Sequence, residues 1–191
     1  MTVSKQEVRT ALREARRAHV ALLDPQVRGL LFLRPPRALL DMIGPGVVIG
    51  LYSASPDEAP AGGYARYFKE QGHTIALPRF AHRGSVMEFA ETTDPFALSD
   101  LEEGPFSIMQ PRAGAAAMVP DVLFVPLLGF TTAGARIGRG GGHYDRYLAG
   151  HRGVTAIGMA WDMQLIDEVP VEEHDMPLHA VVTPTRLLGP F

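Results

Sequence analysis

Val122-Leu-Phe-Val-Pro-Leu-Leu-Gly-Phe-Thr-Thr-Ala-Gly-Ala-Arg-Ile-Gly-Arg-Gly-Gly-Gly-His-Tyr-Asp-Arg-Tyr-Leu148 decides how this chain reads. It opens as an apolar strand, Val122 to Val125, and closes as a helical run that starts near Gly142. Between them lie Gly134, Gly138, Gly140, Gly141 and Gly142, with Arg136 and Arg139 interleaved. Glycines let backbone N–H groups converge on one point and let a ligand approach closely. A helix start adds unpaired donors and the positive end of a dipole. Arginine forks match phosphate oxygens. The stretch therefore reads as a polyphosphate cradle between a strand and a helix. A flexible glycine loop without a ligand is the plain alternative. Asp145 favours the cradle, because a carboxylate beside phosphates is what a bridging magnesium ion requires.

Common phosphate loops do not fit. The last glycine is followed by His143 and Tyr144, where Gly-x-x-x-x-Gly-Lys-Ser/Thr needs lysine and a hydroxyl. Gly138 and Gly140 lack the third glycine of Gly-x-Gly-x-x-Gly, since His143 stands there.

The stretch instead resembles the signature of the 5-formyltetrahydrofolate cyclo-ligases, also called 5,10-methenyltetrahydrofolate synthetases. Val125, Pro126, Gly129, Phe130, Gly134, Arg136, Gly138, Gly140, Gly142, Tyr144, Asp145 and Leu148 fall on that family's pattern. Thr131 departs from a usual aspartate, and His143 from a usual tyrosine.

Outward from this stretch, the composition sets bounds. The 191 residues suffice for one domain with a real core, taken as 1–191, with the resemblance running from about 5 to 188. A hydrophobic content of 46% with 20% charged residues is that of a globular protein. A net charge of -3 argues against coating nucleic acid or an anionic membrane. The absence of cysteine excludes disulfides and thiolate metal sites. Neither a signal peptide nor a membrane span is expected, which makes the cytoplasm the default location.

Ser4-Lys-Gln-Glu7 is a capping box that starts a helix. Val8, Ala11, Leu12, Ala15, His19 and Leu22 form its expected apolar stripe. Lys5, Arg9, Arg13 and Arg16 lie beside the stripe, either as a solvated face or as a phosphate contact. The resemblance selects Lys5 and Arg9 as ATP contacts and gives Arg13 and Arg16 no role.

Val47 to Tyr52 reads as a buried strand. In the family an aromatic residue there is followed six residues later by a folate-contacting glutamate. Tyr52 and Glu58 match, and Ser53 falls between them. Without the resemblance, Glu58 reads equally as an acid near a helix start. Tyr64, Tyr67 and Phe68, on a helix over 61–71, read as core. Further strands are expected over 73–78, 86–90, 154–160 and 180–182, and a short helix over 95–98. Phe106 to Pro111 resembles a family element in which Gln110 replaces glutamate. Asp175 matches the family's second magnesium ligand; alone it reads as a turn aspartate before a proline.

Strands and helices alternate, which predicts an open α/β sheet flanked by helices with the site at strand ends. The resemblance implies a single-domain, three-layer, Rossmann-like form of it. It also implies ATP as co-substrate, Mg2+, a small-molecule folate substrate and a monomer or weak homodimer. ATP would be held by Lys5, Arg9, Arg136, Ile137, Gly138, Arg139, Gly140, Gly141, Gly142, His143 and Tyr144. Asp145 and Asp175 would hold the metal. Tyr52, Ser53, Glu58 and Tyr144 would hold the folate. Two other readings remain: a metal-dependent hydrolase built on His143, Asp145, His174 and Asp175, and a non-catalytic nucleotide- or folate-binding paralogue.

Overall fold

A computed structural model describes residues 4–191; the first three residues of the expected domain lie outside the described residues. The helices are α1 (Lys5–Leu22), α2 (Pro25–Leu30), α3 (Arg37–Leu40), α4 (Gly62–Glu70) and α5 (His143–Gly150). The strands begin with β1 (Val48–Gly50), β2 (Thr74–Arg79), β3 (Glu88–Thr92), β4 (Leu101–Glu103), β5 (Met109–Pro111) and β6 (Ala117–Met118). They continue with β7 (Val122–Pro126), β8 (Gly129–Phe130), β9 (Arg136–Ile137), β10 (Thr155–Met159), β11 (Ala180–Val182) and β12 (Leu187–Leu188).

Eight strands form one sheet in the order β12-β11-β10-β7-β1-β2-β3-β6. The five central strands, β11 to β2, pair in parallel. Antiparallel strands finish both edges. Side-chain alternation on β7 shows why helices must cover both faces. Val122 and Phe124 enter one core with Tyr64, Phe68 and Trp161; Leu123 and Val125 enter the other with Tyr147 and Leu148. The result is the expected three-layer α/β sheet. Among the described residues no helix is long and apolar enough to cross a membrane.

The topology places the cleft. From β1 the chain proceeds to β2 on one side, and from β7 to β10 on the other. The carboxyl ends of β1 and β7 therefore carry loops that diverge, the geometry in which open α/β sheets hold ligands.

Three elements differ from the sequence reading. A small hairpin, β8–β9, stands between β7 and the glycine loop, so the loop leaves a hairpin and not the central strand. Residues 95–98 make a turn capped by the Asp94 carboxylate, which accepts from the Phe96 and Ala97 amides; Leu98, at φ 57, stops helical propagation. The apolar stripe of α1 is rotated from the expected one. Leu22 is 88% exposed, and the wholly buried residue of the helix is Arg16. Val20 and Leu23 pack on the core instead.

Helix α4 docks so closely that a Cβ on Gly63 would stand 2.3 Å from the Phe32 carbonyl oxygen. Gly63→Ala must therefore push backbone from backbone. We expect a loss of ~1–3 kcal/mol despite alanine's better helix propensity. A urea midpoint at or above wild type would contradict this packing.

Candidate active site

The loop Gly138–Gly142 joins β9 to α5, and Gly142, at φ 63, is the N-cap of that helix. Among the described residues no side chain caps it. Gly140 turns through φ 102, a conformation that strains any L side chain, and the Arg9 guanidinium packs against it, 3.4–3.5 Å from where a Cβ would stand. Arg9 Nε donates to the Gly138 carbonyl at 3.1 Å. The loop is thus pinned from α1, which also delivers Lys5. Lys5 Nζ donates to Asp175 Oδ2 at 2.7 Å and lies 3.3 Å from Glu172.

Arg136 is almost fully buried. It bridges Asp145 Oδ1, at 2.5 Å, and the Met176 carbonyl, at 3.3 Å. Asp145 also accepts from the Met176 amide. Arg136 therefore ties the first turn of α5 to the segment that carries Asp175. Burial lowers the Arg136 pKa from its ordinary value, and Asp145 opposes the shift. Burial pushes the Asp175 carboxyl up, but Lys5 and the Glu172 amide outweigh it and hold the group below its ordinary value. Every residue that the sequence reading assigned to phosphate or metal lines one cavity of 120 Å³.

A second cavity, of 330 Å³, opens beside the first and shares Pro126, Arg139, His143 and Tyr144 with it. It brings together the expected Tyr52, Ser53, Glu58 and Tyr144. Glu58 is 4% exposed. Its Oε2 accepts from the Ser55 amide at 2.8 Å, and its Oε1 lies 3.4 Å from Arg139 Nε. Burial, and then the Glu58 charge, push the Tyr52 and Tyr144 phenols up, so both stay protonated donors at neutral pH. Tyr52 donates to the Ala59 carbonyl. An apolar pocket of 450 Å³ continues outward past Tyr52, Ser53 and Ile108.

The departures from the usual signature have physical substitutes. Thr131 Oγ1 accepts from the Ala133 amide, as an aspartate oxygen would in the same turn. His143 sits 5.0 Å from Phe80 and 5.7 Å from Phe106, both edge-on, with Nδ1 3.2 Å from Arg146. Burial and then Arg146 lower its pKa, so the ring is neutral at pH 7 and adds no positive charge to the cradle. Gln110 donates to the Phe80 carbonyl at 3.1 Å and accepts from the Phe80 amide at 3.0 Å. It therefore fixes the backbone of the residue whose ring meets His143.

Sequence reasoning missed Arg16, Asp57 and the Phe80–Phe106 wall. Arg16 carried a readable signal, a cation on the same helix face as Lys5 and Arg9, but its partners lie far along the chain. The four residues of the hydrolase reading, His143, Asp145, His174 and Asp175, line the glycine-loop cavity, but their ligand atoms do not converge on one point. Among the described residues the one compact set of metal-ligand type is Glu172, His174 and Asp175, without His143 or Asp145.

A strand-end cleft with a glycine loop on one side and an apolar-walled cavity on the other defines an α/β small-molecule-binding protein. A sequence model of the 5-formyltetrahydrofolate cyclo-ligase family matches residues 1–184, and the chain belongs to that family. It is 41% identical over 95 residues to the Escherichia coli 5-formyltetrahydrofolate cyclo-ligase; the match spans 47% of this chain and 52% of that protein, about half of each. The mouse 5-formyltetrahydrofolate cyclo-ligase is 28% identical over 145 residues, 70% of this chain and 71% of its own. The Aquifex aeolicus 5,10-methenyltetrahydrofolate synthetase structure superposes with a TM-score of 0.74 at 23% identity, covering 97% of this chain and 92% of that one. At that identity the likeness speaks for the fold.

Gln110→Glu replaces a donor with a carboxylate aimed at the Phe80 carbonyl. Protonation would restore the donor, so the introduced carboxyl's folded pKa rises above its unfolded value of ~4.3. Stability relative to wild type is then kept below about pH 4 and lost as pH rises through the raised folded value. We expect a deficit of ~1–3 kcal/mol at pH 8 that shrinks at pH 5 in urea melts. A deficit equal at both pH values would remove the paired amide bonds from the account.

Proposed function

We propose that this chain is one cyclo-ligase domain that closes 5-formyltetrahydrofolate to 5,10-methenyltetrahydrofolate, using ATP and magnesium and releasing ADP and phosphate. The observation that carries the reading is that the glycine-loop cavity and the cavity holding Glu58 are lined in common by Pro126, Arg139, His143 and Tyr144.

The chemistry explains why two cavities are needed. The oxygen of an N5-formyl group is a poor leaving group. Transfer of the γ-phosphoryl group to it makes that oxygen part of a phosphate. N10 then attacks the formyl carbon, the C–O bond breaks, phosphate departs and N10 loses its proton. Phosphoryl transfer depends chiefly on positioning and charge neutralisation. Lys5, Arg9 and Arg139 supply positive charge along the triphosphate, and the Gly138–Gly142 backbone offers donors. Arg136 acts through Asp145, which it holds. Asp145 and Asp175 are hard oxygen donors lining the same cavity, a set that fits magnesium. The ion would neutralise phosphate charge there. Glu58 accepts N–H donors of the pterin, and the Phe80–Phe106 wall receives its face. Tyr144, kept neutral, donates without adding charge, while the Tyr52 hydroxyl, whose proton goes to the Ala59 carbonyl, lines the cavity as a neutral acceptor.

The direct test follows the methenyl absorbance and ADP release when purified protein meets ATP, magnesium and 5-formyltetrahydrofolate. Binding of both ligands without product would leave a binding protein in place of an enzyme. Hydrolysis independent of ATP would favour the hydrolase reading.

Two sets of variants probe the phosphate side. Asp145→Asn and Asp175→Asn should each raise the magnesium concentration needed for half-maximal rate, because each removes one carboxylate charge. Wild-type magnesium curves for both would remove these residues from the metal site. Arg136→Lys keeps the charge but loses the fork that reaches Asp145 and Met176 together. We expect a rate ~10-fold lower or worse, a barrier ~1.4 kcal/mol higher. Unchanged turnover would reduce Arg136 to a dispensable buried ion pair.

A further inference from the structure

Arg16 belongs to no cavity described above, yet its side chain is 1% exposed. A guanidinium taken out of water must be paired on every side. Its Nη2 and Nε both meet Asp57 Oδ2, at 2.7 and 3.0 Å. Its Nη1 donates to the Leu127 carbonyl at 3.1 Å and lies 3.9 Å from Glu58 Oε1. One fork therefore joins α1, the end of the β7 segment and the turn after β1.

Among the turn's polar contacts with the rest of the molecule, Arg16 makes the buried, charged one to Asp57. Within it, the Glu58 amide donates to the Ser55 carbonyl, and the Ser55 hydroxyl donates to Asp57. From outside, Trp161 Nε1 donates to the Asp57 carbonyl, and Arg28 of α2 donates to the Pro56 carbonyl. Arg139 also reaches Glu58 and Ser55, but its side chain is 48% exposed and stands at the mouth of the phosphate cavity. An exposed pair holds geometry weakly, and a nucleotide competes for this arginine. Arg16 meets neither objection.

We propose that Arg16 is a positioning residue for Glu58. Through Asp57 and Leu127 it sets the Glu58 carboxylate in the organic-ligand cavity before the ligand arrives. Because Lys5 and Arg9 sit on the same helix, it also fixes the distance between that carboxylate and the phosphate cradle. Asp57 is its relay, and neither side chain touches the ligand. The proposal rests on Glu58 serving the folate, as in the reading above.

The test is equilibrium binding of 5-formyltetrahydrofolate and, separately, of ATP with magnesium. It uses wild type, Arg16→Met, Arg16→Lys, Asp57→Asn, Glu58→Gln and the double variant Arg16→Met/Glu58→Gln. We expect the folate Kd to rise ~10-fold or more in Arg16→Met and Asp57→Asn, as when an outer partner of a binding group is removed. Arg16→Lys should fall between these and wild type. ATP affinity should stay within ~3-fold, since the cradle is pinned by other residues. In the Glu58→Gln background, Arg16→Met should add little further loss, because both act on one group. A merely structural arginine would lower thermal stability and give losses additive with Glu58→Gln; that result, or an unchanged folate Kd, overturns the proposal. Should Arg16→Met not fold, Asp57→Asn, on a partly exposed turn, carries the same prediction. A wild type that binds the folate without cyclising it overturns the activity and not this role, which is read from binding. A wild type that binds no folate overturns both.

Discussion

One helix face holds the cleft together. Lys5, Arg9 and Arg16 stand four and seven residues apart, within ~40° of one another at ~100° per residue. Each reaches a different segment: Lys5 the Asp175 turn, Arg9 the Gly138 carbonyl, Arg16 the Asp57 turn and Leu127. The Asp175 turn precedes β11, Gly138 follows the β8–β9 hairpin and the Asp57 turn follows β1, and α1 ties the three together. The inward face of α1 does so with charge set among hydrocarbon.

Such a design is costly unless every charge is matched. Removing one partner of a buried pair typically loses ~3–5 kcal/mol, because the other is left uncompensated. Among the described residues Arg16 and Arg136 are the two buried arginines, and each is answered by an aspartate and a backbone carbonyl. Asp57 is held below its ordinary pKa: burial pushes it up, and the Arg16 bonds more than reverse this. A depressed carboxylate contributes stability above its unfolded pKa and loses it as pH falls through the folded one. Acid should thus loosen the Asp57 turn and, with Asp175, the Lys5 contact, both on the cleft.

What was legible in the sequence follows from how local each cause is. The glycine loop, the α5 start and the capping box at Ser4 depend on residues a few positions apart, and they stand where the pattern put them. The β8–β9 hairpin hid inside the same stretch because its strands are two residues long, too short for alternation to register. The rotation of α1 hid for a different reason. Periodicity assigns arginine to solvent, and it is Asp57 and Leu127, 41 and 111 residues away, that make Arg16 an inward residue. Gln110 is similar: the loss of a carboxylate was visible, but its bond to Phe80 spans 30 residues.

The cleft is polarised along its length, and that gradient orients a ligand with unlike ends. At the glycine loop stand Lys5, Arg9 and an uncapped helix start; at the other end stand Glu58 and Tyr52, with Tyr144 lining both, and the two phenols are kept neutral by burial. A polyanion is favoured at the first end and repelled by Glu58 at the second, while a neutral ring with N–H donors has the opposite preference. Arg139 lies at the boundary, shared by both cavities and paired with Glu58. A nucleotide that drew Arg139 toward its phosphates would leave Glu58 with more unmet accepting capacity. Arg16, locked behind it, would hold that carboxylate in place while its outer partner moved. Exposure therefore divides the labour between the two arginines: the exposed one can respond to ligand, and the buried one keeps the frame against which the response is made.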